Sequence, residues 1–278
     1  MSFNGLSINR RVTLNNGVEM PVFGLGTYLS GNRRETLAMV LNALEMGYRH
    51  IDTARFYGNE KDIGDAIRKS GIPREEIFIT TKLWNSDHGF NRAQQAFEES
   101  LGDLGCDYVD LYLIHWPVQH LRNESWKALQ KLQVEGKCRA IGVSNYTIGH
   151  LKELFDVSSV MPAVNQVEFS PYLYQKELLE FCRSNDIQLE SYSPLTKGHM
   201  LGDSRLHEIG KKYGKSSAQI LIRWALQKQV IVIPKSTRMD RIRENADVFD
   251  FEISPEDMVE LDAFHKNLRV SWDPTSVS

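Results

Sequence analysis

The sequence predicts an α/β protein built as a (β/α)8 TIM barrel, with an N-terminal β-hairpin and extra helices near the C-terminus. Three observations predict it. Short apolar runs alternate with amphipathic segments along the 278 residues, the pattern of β-α units around a parallel sheet. The units number eight, the count that closes a barrel. The rival fold, a doubly wound sheet, usually carries G-x-G-x-x-G after its first strand. The nearest match here, Gly24-Leu25-Gly26-Thr27-Tyr28-Leu29-Ser30-Gly31, has the wrong spacing.

Each element has its own signal. Across Arg11–Pro21, Val12 and Leu14 precede Asn15-Asn16-Gly17, and Val18 and Met20 follow; Asn-Gly between alternating apolar residues predicts a hairpin. Val22–Leu25 reads as the first barrel strand and Arg33–Met46 as its helix, with Leu37, Val40, Leu41 and Leu44 on one face. A strand at Tyr48–Asp52 leads to a helix at Glu60–Ser70, stopped by Gly71 and Pro73. The next strand, Ile77–Thr81, precedes a helix at Asn91–Leu104 that turns Ala93, Ala96, Phe97, Leu101 and Leu104 inward. Three more pairs follow: Val109–Ile114 with Glu124–Glu135, Ala140–Val143 with Ile148–Phe155, and Ala163–Val167 with Lys176–Arg183. Gln188–Ser191 precedes two helices, Arg205–Tyr213 and Ser217–Lys228. Val230–Ile233 is the last strand and Asp240–Phe249 its helix. Ser254 then caps an extra helix, with Pro255 in the first turn and Glu256 and Asp257 facing the positive end. No linker, low-complexity stretch or charge block divides the chain, so residues 1–278 read as one barrel domain.

Composition narrows the function. A chain of this size buries a large core without disulfide or metal staples. With 33 Lys+Arg against 36 Asp+Glu, the net charge of −3 argues against nucleic acid or an anionic membrane as the main partner. The three cysteines, Cys106, Cys138 and Cys182, form no CxxC pair and read as reduced thiols in a cytoplasmic protein. The polar start (Ser2, Asn4, Ser7, Asn9, Arg10, Arg11) lacks the apolar region of a secretory signal, and no run is long enough to span a membrane. No long exposed apolar stripe calls for a partner, so a monomer is expected.

In a (β/α)8 barrel the active site lies at the carboxyl ends of the strands. There the sequence sets Asp52 and Thr53, Lys82, His115 and Trp116, Ser144 and Asn145, Asn165, Gln166 and Glu168, Tyr192 and Ser193, and Lys235 and Ser236. Taken singly, most have a plain structural explanation: Asp52 as a cap, Lys82 as a solvated loop residue, His115 as a core histidine, Tyr57 as a rim aromatic. Polar, donor-rich residues at nearly every strand end point to a built site, because the barrel mouth brings them to one place.

The chain resembles the aldo-keto reductase family nearly end to end. The matching stretches are Gly47-Tyr48-Arg49-His50-Ile51-Asp52-Thr53-Ala54, Tyr57-Gly58-Asn59-Glu60, Thr80-Thr81-Lys82-Leu83-Trp84, Asp110-Leu111-Tyr112-Leu113-Ile114-His115-Trp116-Pro117, Gly142-Val143-Ser144-Asn145, Ser191-Tyr192-Ser193-Pro194-Leu195 and Ile233-Pro234-Lys235-Ser236. The short loop from Pro117 to Asn123 and the short tail after Phe264 place it nearest the branch holding bacterial 2,5-diketo-gluconate reductases and trypanosomatid prostaglandin F synthases. An open pocket and broad specificity are expected from that branch.

The resemblance implies NADPH-dependent reduction of small carbonyl compounds by the tetrad Asp52, Tyr57, Lys82 and His115. The chemistry explains the four types. Carbonyl reduction takes a hydride to carbon, from the nicotinamide, and a proton to oxygen. A tyrosine, with an ordinary pKa of about 10, is a reluctant donor at neutral pH. The Lys82 ammonium is expected to lower the pKa of Tyr57, Asp52 to keep Lys82 charged, and His115 to hydrogen-bond the carbonyl oxygen. Water is expected to replace part of the pairing if Asp52 is removed.

The cofactor residues implied by the resemblance are Gly26, Thr27, Asp52, Ser144, Asn145, Gln166, Tyr192, Ser193, Leu195, Lys235, Ser236, Thr237, Arg241, Glu244 and Asn245. Tyr192 is expected to stack on the nicotinamide, and Ser144, Asn145 and Gln166 to bond its carboxamide. Lys235, Ser236, Thr237 and Arg241 lie where a helix start receives a phosphate, and two cations there suit the 2′-phosphate of NADPH. Glu244 and Asn245 match adenine-contacting positions; Glu244 stands where the family often has Gln, and an acid there weakens NADP preference. Tyr28, Trp84, Trp116 and Trp272, with Tyr57 and His115, are expected to line the substrate pocket, an aromatic wall suited to apolar or flat carbonyls. The alternative is a cofactor-binding or structural protein on the same fold. A metal-dependent hydrolase is disfavoured, because the chain has neither an H-x-H pair nor H-E-x-x-H spacing.

Overall fold

Eight parallel strands curl into one sheet in the computed structural model, which describes residues 5–277. Ser2 and Asn4 of the polar start lie outside these residues. The strands are β3 (Leu25–Gly26), β4 (His50–Asp52), β5 (Phe78–Leu83), β6 (Val109–Ile114), β7 (Cys138–Ser144), β8 (Val164–Glu168), β9 (Gln188–Tyr192) and β10 (Ile231–Val232), each pairing with the next in chain order. The two ends of that series meet: Gly24 N donates to Val232 O at 2.9 Å, Gly26 N to Pro234 O at 3.1 Å, and Phe23 bridges Val232 in parallel. The sheet is therefore a barrel, as the eight-unit count predicts.

Helices α1 (Arg33–Glu45), α2 (Glu60–Ser70), α3 (Phe90–Leu104), α4 (Arg122–Val134), α5 (Ile148–Val157), α6 (Lys176–Ser184), α7 (Ser204–Tyr213), α8 (Ser217–Gln227) and α9 (Met239–Ala246) follow the strands, and α10 (Pro255–Asp262) is the extra helix. Their apolar faces pack on the outside of the barrel as one core that includes Met39, Ile63, Phe97, Trp126, Leu151 and Trp224. Ser254 caps α10 by accepting from Asp257 N, with Pro255 in the first turn, as the sequence predicts.

The hairpin pairs β1 (Arg11–Thr13) with β2 (Glu19–Pro21), Val12 opposite Met20. Met20 and Leu14 pack on Phe78, Leu111, Ala140 and Ile231 at the amino end of the barrel, so the hairpin is its stopper. Above this apolar layer the interior turns polar toward the carboxyl end. Side chains alternate along a strand, so the residues that face inward come at every second position. That places His50 and Asp52, then Thr80 and Lys82, on the inside, with Gln166 and Glu190 opposite each other across β8 and β9.

Several boundaries differ from the sequence reading, and three of these differences have a clear physical reason. The first barrel strand, expected at Val22–Leu25, splits its bonding: Val22 and Gly24 bond to β10, and only Leu25–Gly26 pairs with β4. The strand expected to end at Thr81 runs on to Leu83, so Lys82 sits inside the ladder opposite Leu113. The helix expected at Asp240–Phe249 ends at Ala246, because Asp247 leaves helical geometry at φ −85°, ψ 61°. Lys215 there gathers the carboxylates of Asp247 and Asp250, at 2.9 and 2.7 Å.

Candidate active site

At the carboxyl end of β4 and β5, Lys82 Nζ lies 2.6 Å from Asp52 Oδ1 and donates to Thr53 O at 2.8 Å. Lys82 is 0% and Asp52 2% exposed, so the pair is sealed from solvent. Burial raises the pKa of the Asp52 carboxyl; Lys82 and Gln166, which both donate to it, oppose that shift. At that burial bulk solvent does not reach the pair in the intact protein, which bears on the expectation that water would replace part of the pairing once Asp52 is removed.

Tyr57 is presented by a single 3-10 turn, Arg55–Tyr57, closed by Gly58 in the left-handed region at φ 65°. Asn59 clamps that turn to the barrel. Its Oδ1 accepts from Thr53 Oγ1 at 2.7 Å, and its Nδ2 donates to Thr27 O and Ser30 Oγ, both at 3.0 Å. Glu60, buried at the start of α2, accepts from Thr81 Oγ1 and Ser100 Oγ and so ties α2 to β5 and α3. The Tyr-Gly-Asn-Glu motif is thus a fastening as well as a source of the phenol.

The Tyr57 ring centroid is 5.1 Å from Lys82 Nζ and 5.7 Å from the His115 ring, at 75° between planes. Burial first, then the charge of Asp52, hold the phenol pKa well above its ordinary value. That corrects the expectation of a pKa lowered by Lys82. The ammonium is compensated by a carboxylate at 2.6 Å, so little net positive charge is left to act on the phenol. His115 is pushed well below its ordinary pKa by burial and then by Lys82, so its ring is neutral. Its Nδ1 is buried without a partner, which leaves Nε2 as the ring nitrogen able to meet a ligand.

Beside this floor stand Ser144, Asn145, Gln166 and Tyr192. Ser144 Oγ donates to Gln166 O at 2.8 Å; Asn145 Nδ2 donates to His115 O and Ser144 Oγ at 3.0 and 3.1 Å. Tyr192 Oη donates to Asn145 Oδ1 at 2.8 Å, which ties its ring to this group. Asn145 and Ser193 both have left-handed backbone, φ 65° and 49°, an uncommon conformation for residues with a Cβ. Leu195 is half-buried behind them. Gly26 and Thr27 have framework contacts: a Cβ on Gly26 would come 2.8 Å from Ile233 O, and Thr27 spends both its N–H and its hydroxyl on Asp52 O.

Lys235, Ser236 and Thr237 lie between β10 and α9, with Arg241 in the first turns of that helix. Arg238 is held by Asp240, whereas Arg241 is exposed and makes no ion pair among the described residues. Burial lowers the pKa of Lys235, and Glu35 raises it. On the same helix Asn245 is buried and Glu244 half-buried.

The rim is aromatic. Tyr28 lies 5.0 Å from Tyr57, and Trp272 comes from the tail to 6.1 Å from both Trp84 and Trp116, by ring centroids. Phe56, which the sequence reading missed, is at the centre of this wall: it stacks on Trp84 at 3.8 Å and 18° and lies 6.0 Å from Trp272. Its adjacency to Tyr57 does not by itself set it apart from ordinary packing. Glu168 holds the tail, accepting from Val270 N at 2.7 Å and Ser271 N at 3.0 Å, while Lys197 Nζ donates to Val270 O at 2.6 Å. At the other end of the barrel a cavity of about 350 Å³, lined by Asn15, Asn16, Ile141 and Asn185 among others, has no His, Cys, Lys or Glu in its wall.

The sequence model of the Aldo/keto reductase family matches residues 22–266. The chain is 50% identical over 268 residues to a glyoxal reductase of Bacillus subtilis, covering 96% of this chain and 97% of that one. It is 48% identical over 266 residues to a 9,11-endoperoxide prostaglandin H2 reductase of Trypanosoma cruzi, covering 95% and 94%. Its structure matches that of a Bombyx mori aldo-keto reductase in complex with NADP with a TM-score of 0.91 at 36% identity, over 96% of this chain and 95% of the other.

Proposed function

Since the chain belongs to the aldo/keto reductase family, we propose that its barrel mouth reduces aldehydes and ketones to alcohols with NADPH, and that Tyr57 gives the proton. The observation that carries this reading is the sealed Lys82–Asp52 pair lying under a neutral phenol and a neutral imidazole.

Bound NADPH supplies the hydride that the carbonyl carbon takes up. The chain's own residues handle the oxygen. Tyr57 is protonated at neutral pH, which is the form a donor needs. His115, through Nε2, is placed to hydrogen-bond the carbonyl oxygen and favour the negative charge that grows there. As that charge grows, the proton moves from Tyr57 Oη to the substrate oxygen, leaving a phenolate above Lys82. The ammonium therefore acts on the tyrosinate formed late in the step, while burial keeps the proton in place beforehand.

The residues present fit the cofactor. Ser144, Asn145 and Gln166 form one hydrogen-bonded group suited to a carboxamide, and Tyr192 offers a ring fixed by its hydroxyl. Gly26, Thr27, Ser193 and Leu195 shape the walls around them. Lys235 and Arg241, with Ser236 and Thr237, suit the 2′-phosphate, and Glu244 and Asn245 the adenine. Tyr28, Phe56, Trp84, Trp116 and Trp272 would hold the substrate. A single barrel domain over residues 1–278, acting as a cytoplasmic monomer, belongs to the same proposal. It is supported by three free cysteines and by the absence, among the described residues, of a helix able to cross a membrane. Size-exclusion chromatography with light scattering tests the monomer.

The activity test is NADPH consumption, followed by absorbance, with methylglyoxal and a nitrobenzaldehyde. Tyr57→Phe should lower turnover roughly 10²–10⁴-fold with NADPH affinity nearly unchanged. Wild-type turnover in Tyr57→Phe would remove Tyr57 as the donor. NADPH binding without turnover across an aldehyde panel would favour a binding protein on this fold.

A further inference from the structure

Behind the tetrad lies a carboxyl that the proposed reaction does not use. Glu190 projects from β9 into the barrel, 0% exposed, and its residue pairs in register with Gln166. Gln166 Nε2 donates to Glu190 Oε2 at 2.8 Å and to Asp52 Oδ2 at 2.7 Å. An amide nitrogen carries two hydrogens, and both are spent here on carboxyl oxygens. With the amide turned over, Oε1 would face the Asp52 carboxylate, oxygen against oxygen. The amide therefore has one orientation, and with both N–H groups committed it offers only its oxygen to a ligand.

We propose that Glu190 is a positioning residue for the cofactor: with Asp52, it locks Gln166 so that Oε1 faces the nicotinamide carboxamide and accepts from its NH2 group. This rests on the reading of the barrel mouth as an NADPH site. Two ionised carboxylates beside one ammonium would repel each other across Gln166. Burial, then the charge of Asp52, push the Glu190 pKa up to about 8, so near neutral pH the carboxyl holds its proton and still accepts through Oε2. The groups around it are fixed as well. His50 Nε2 is 3.7 Å from Glu190 Oε1 and 3.1 Å from Thr80 Oγ1, and burial lowers the His50 pKa to about 3, so that ring is neutral. Gly24 makes room for it, since a Cβ there would come 2.5 Å from His50 Nδ1. Glu190 thus stands among neutral neighbours apart from the compensated Asp52–Lys82 pair.

The test is a cycle between a side chain and a cofactor atom, read as equilibrium binding by quenching of tryptophan fluorescence. One axis is Glu190→Leu; the other is the 3-acetylpyridine analogue of NADPH, which has a methyl group in place of the carboxamide NH2. Wild type should bind the analogue about two- to tenfold more weakly than NADPH, the range of one neutral hydrogen bond. Glu190→Leu should weaken NADPH by a similar factor and the analogue by less than about twofold, because the bond it orients is already missing. Glu190→Gln retains an acceptor and should stay within about twofold of wild type for both ligands. If Glu190→Leu yields no folded protein, Glu190→Ser, too short to reach Gln166, takes its place. Equal losses of NADPH and analogue would overturn the proposal, as would a Glu190→Gln as impaired as Glu190→Leu. Wild type that binds neither ligand would instead overturn the NADPH site itself.

Discussion

Removing the Asp52 carboxylate should cost much of the protein's stability, and the cost should depend on pH. In Asp52→Ala, Lys82 keeps only Thr53 O as an acceptor, in a place with 0% exposure, and one N–H of Gln166 loses its partner. Breaking a buried pair costs about 3–5 kcal/mol. The lysine can escape by losing its proton. From an ordinary pKa of about 10.4, that costs about 1.4 kcal/mol per unit, or roughly 4.6 kcal/mol at pH 7 and about 2 kcal/mol at pH 9. In this limit the unfolded variant binds one more proton than the folded one, so its stability rises with pH by up to about 1.4 kcal/mol per unit relative to wild type. Urea unfolding followed by tryptophan fluorescence at pH 7 and pH 9 measures both terms. The same pair of proteins in a Glu190→Gln background removes the other carboxyl that could compensate Lys82. A loss below about 1 kcal/mol at pH 7, or one that does not shrink by pH 9, would refute the view of Asp52 and Lys82 as a sealed pair.

Other outcomes follow from single contacts. Arg241→Ala should weaken NADPH roughly ten- to a hundredfold and leave NADH almost unchanged, since a charge-assisted contact to the 2′-phosphate is worth about 1.5–3 kcal/mol; equal losses in a binding titration would assign Arg241 to the adenosine or the fold. Gly64→Ala ordinarily helps a helix by up to about 1 kcal/mol, but here a Cβ would lie 2.0 Å from Leu104 O, so about 1–3 kcal/mol should be lost in urea unfolding. A gain would show that α2 and α3 can separate without penalty. Glu190 has a folded pKa of about 8 against an ordinary carboxylate value of about 4.3. Between those values only the folded state holds the proton, so stability should fall as pH rises, by at most about 1.4 kcal/mol per unit, and level off above pH 8. Glu190→Gln should flatten that slope; an unchanged slope would mean that Glu190 ionises in the fold as it does in water.

The fold was legible because two independent periodicities agreed. The alternating residues around Asn16-Gly17 gave the hairpin, and the helical spacing of Leu37, Val40, Leu41 and Leu44 gave α1. What blurred was set by partners distant in sequence. Lys82 looks like a loop residue because a lysine is rarely buried; it belongs to β5 because Asp52, thirty positions earlier, meets it inside the barrel. The first strand divides its bonds between β4 and β10, which no local pattern encodes. Within the site the tetrad could be read from motifs, whereas Phe56 and Glu190 could not, since a phenylalanine next to a tyrosine or a lone glutamate in a strand reads as ordinary packing or an outward face.

The direction of the Tyr57 pKa shift marks the limit of that reading. From sequence, Lys82 is a positive charge near a phenol and should lower its pKa. In the fold, Lys82 is one end of a neutral pair at 2.6 Å, and the first effect the phenol meets is the loss of water. The same balance recurs across the floor: His115 and His50 are neutral through burial, Glu190 is kept neutral by burial and Asp52, and the one ionised pair cancels itself. A floor without net charge does not favour early proton loss from Tyr57. In the step proposed for Tyr57, the charge that appears would meet fixed donors over a buried floor, where each contact acts more strongly than it would in water. In that proposal the lysine need not make tyrosine acidic at rest; it has to be charged, and held still, when the phenolate forms.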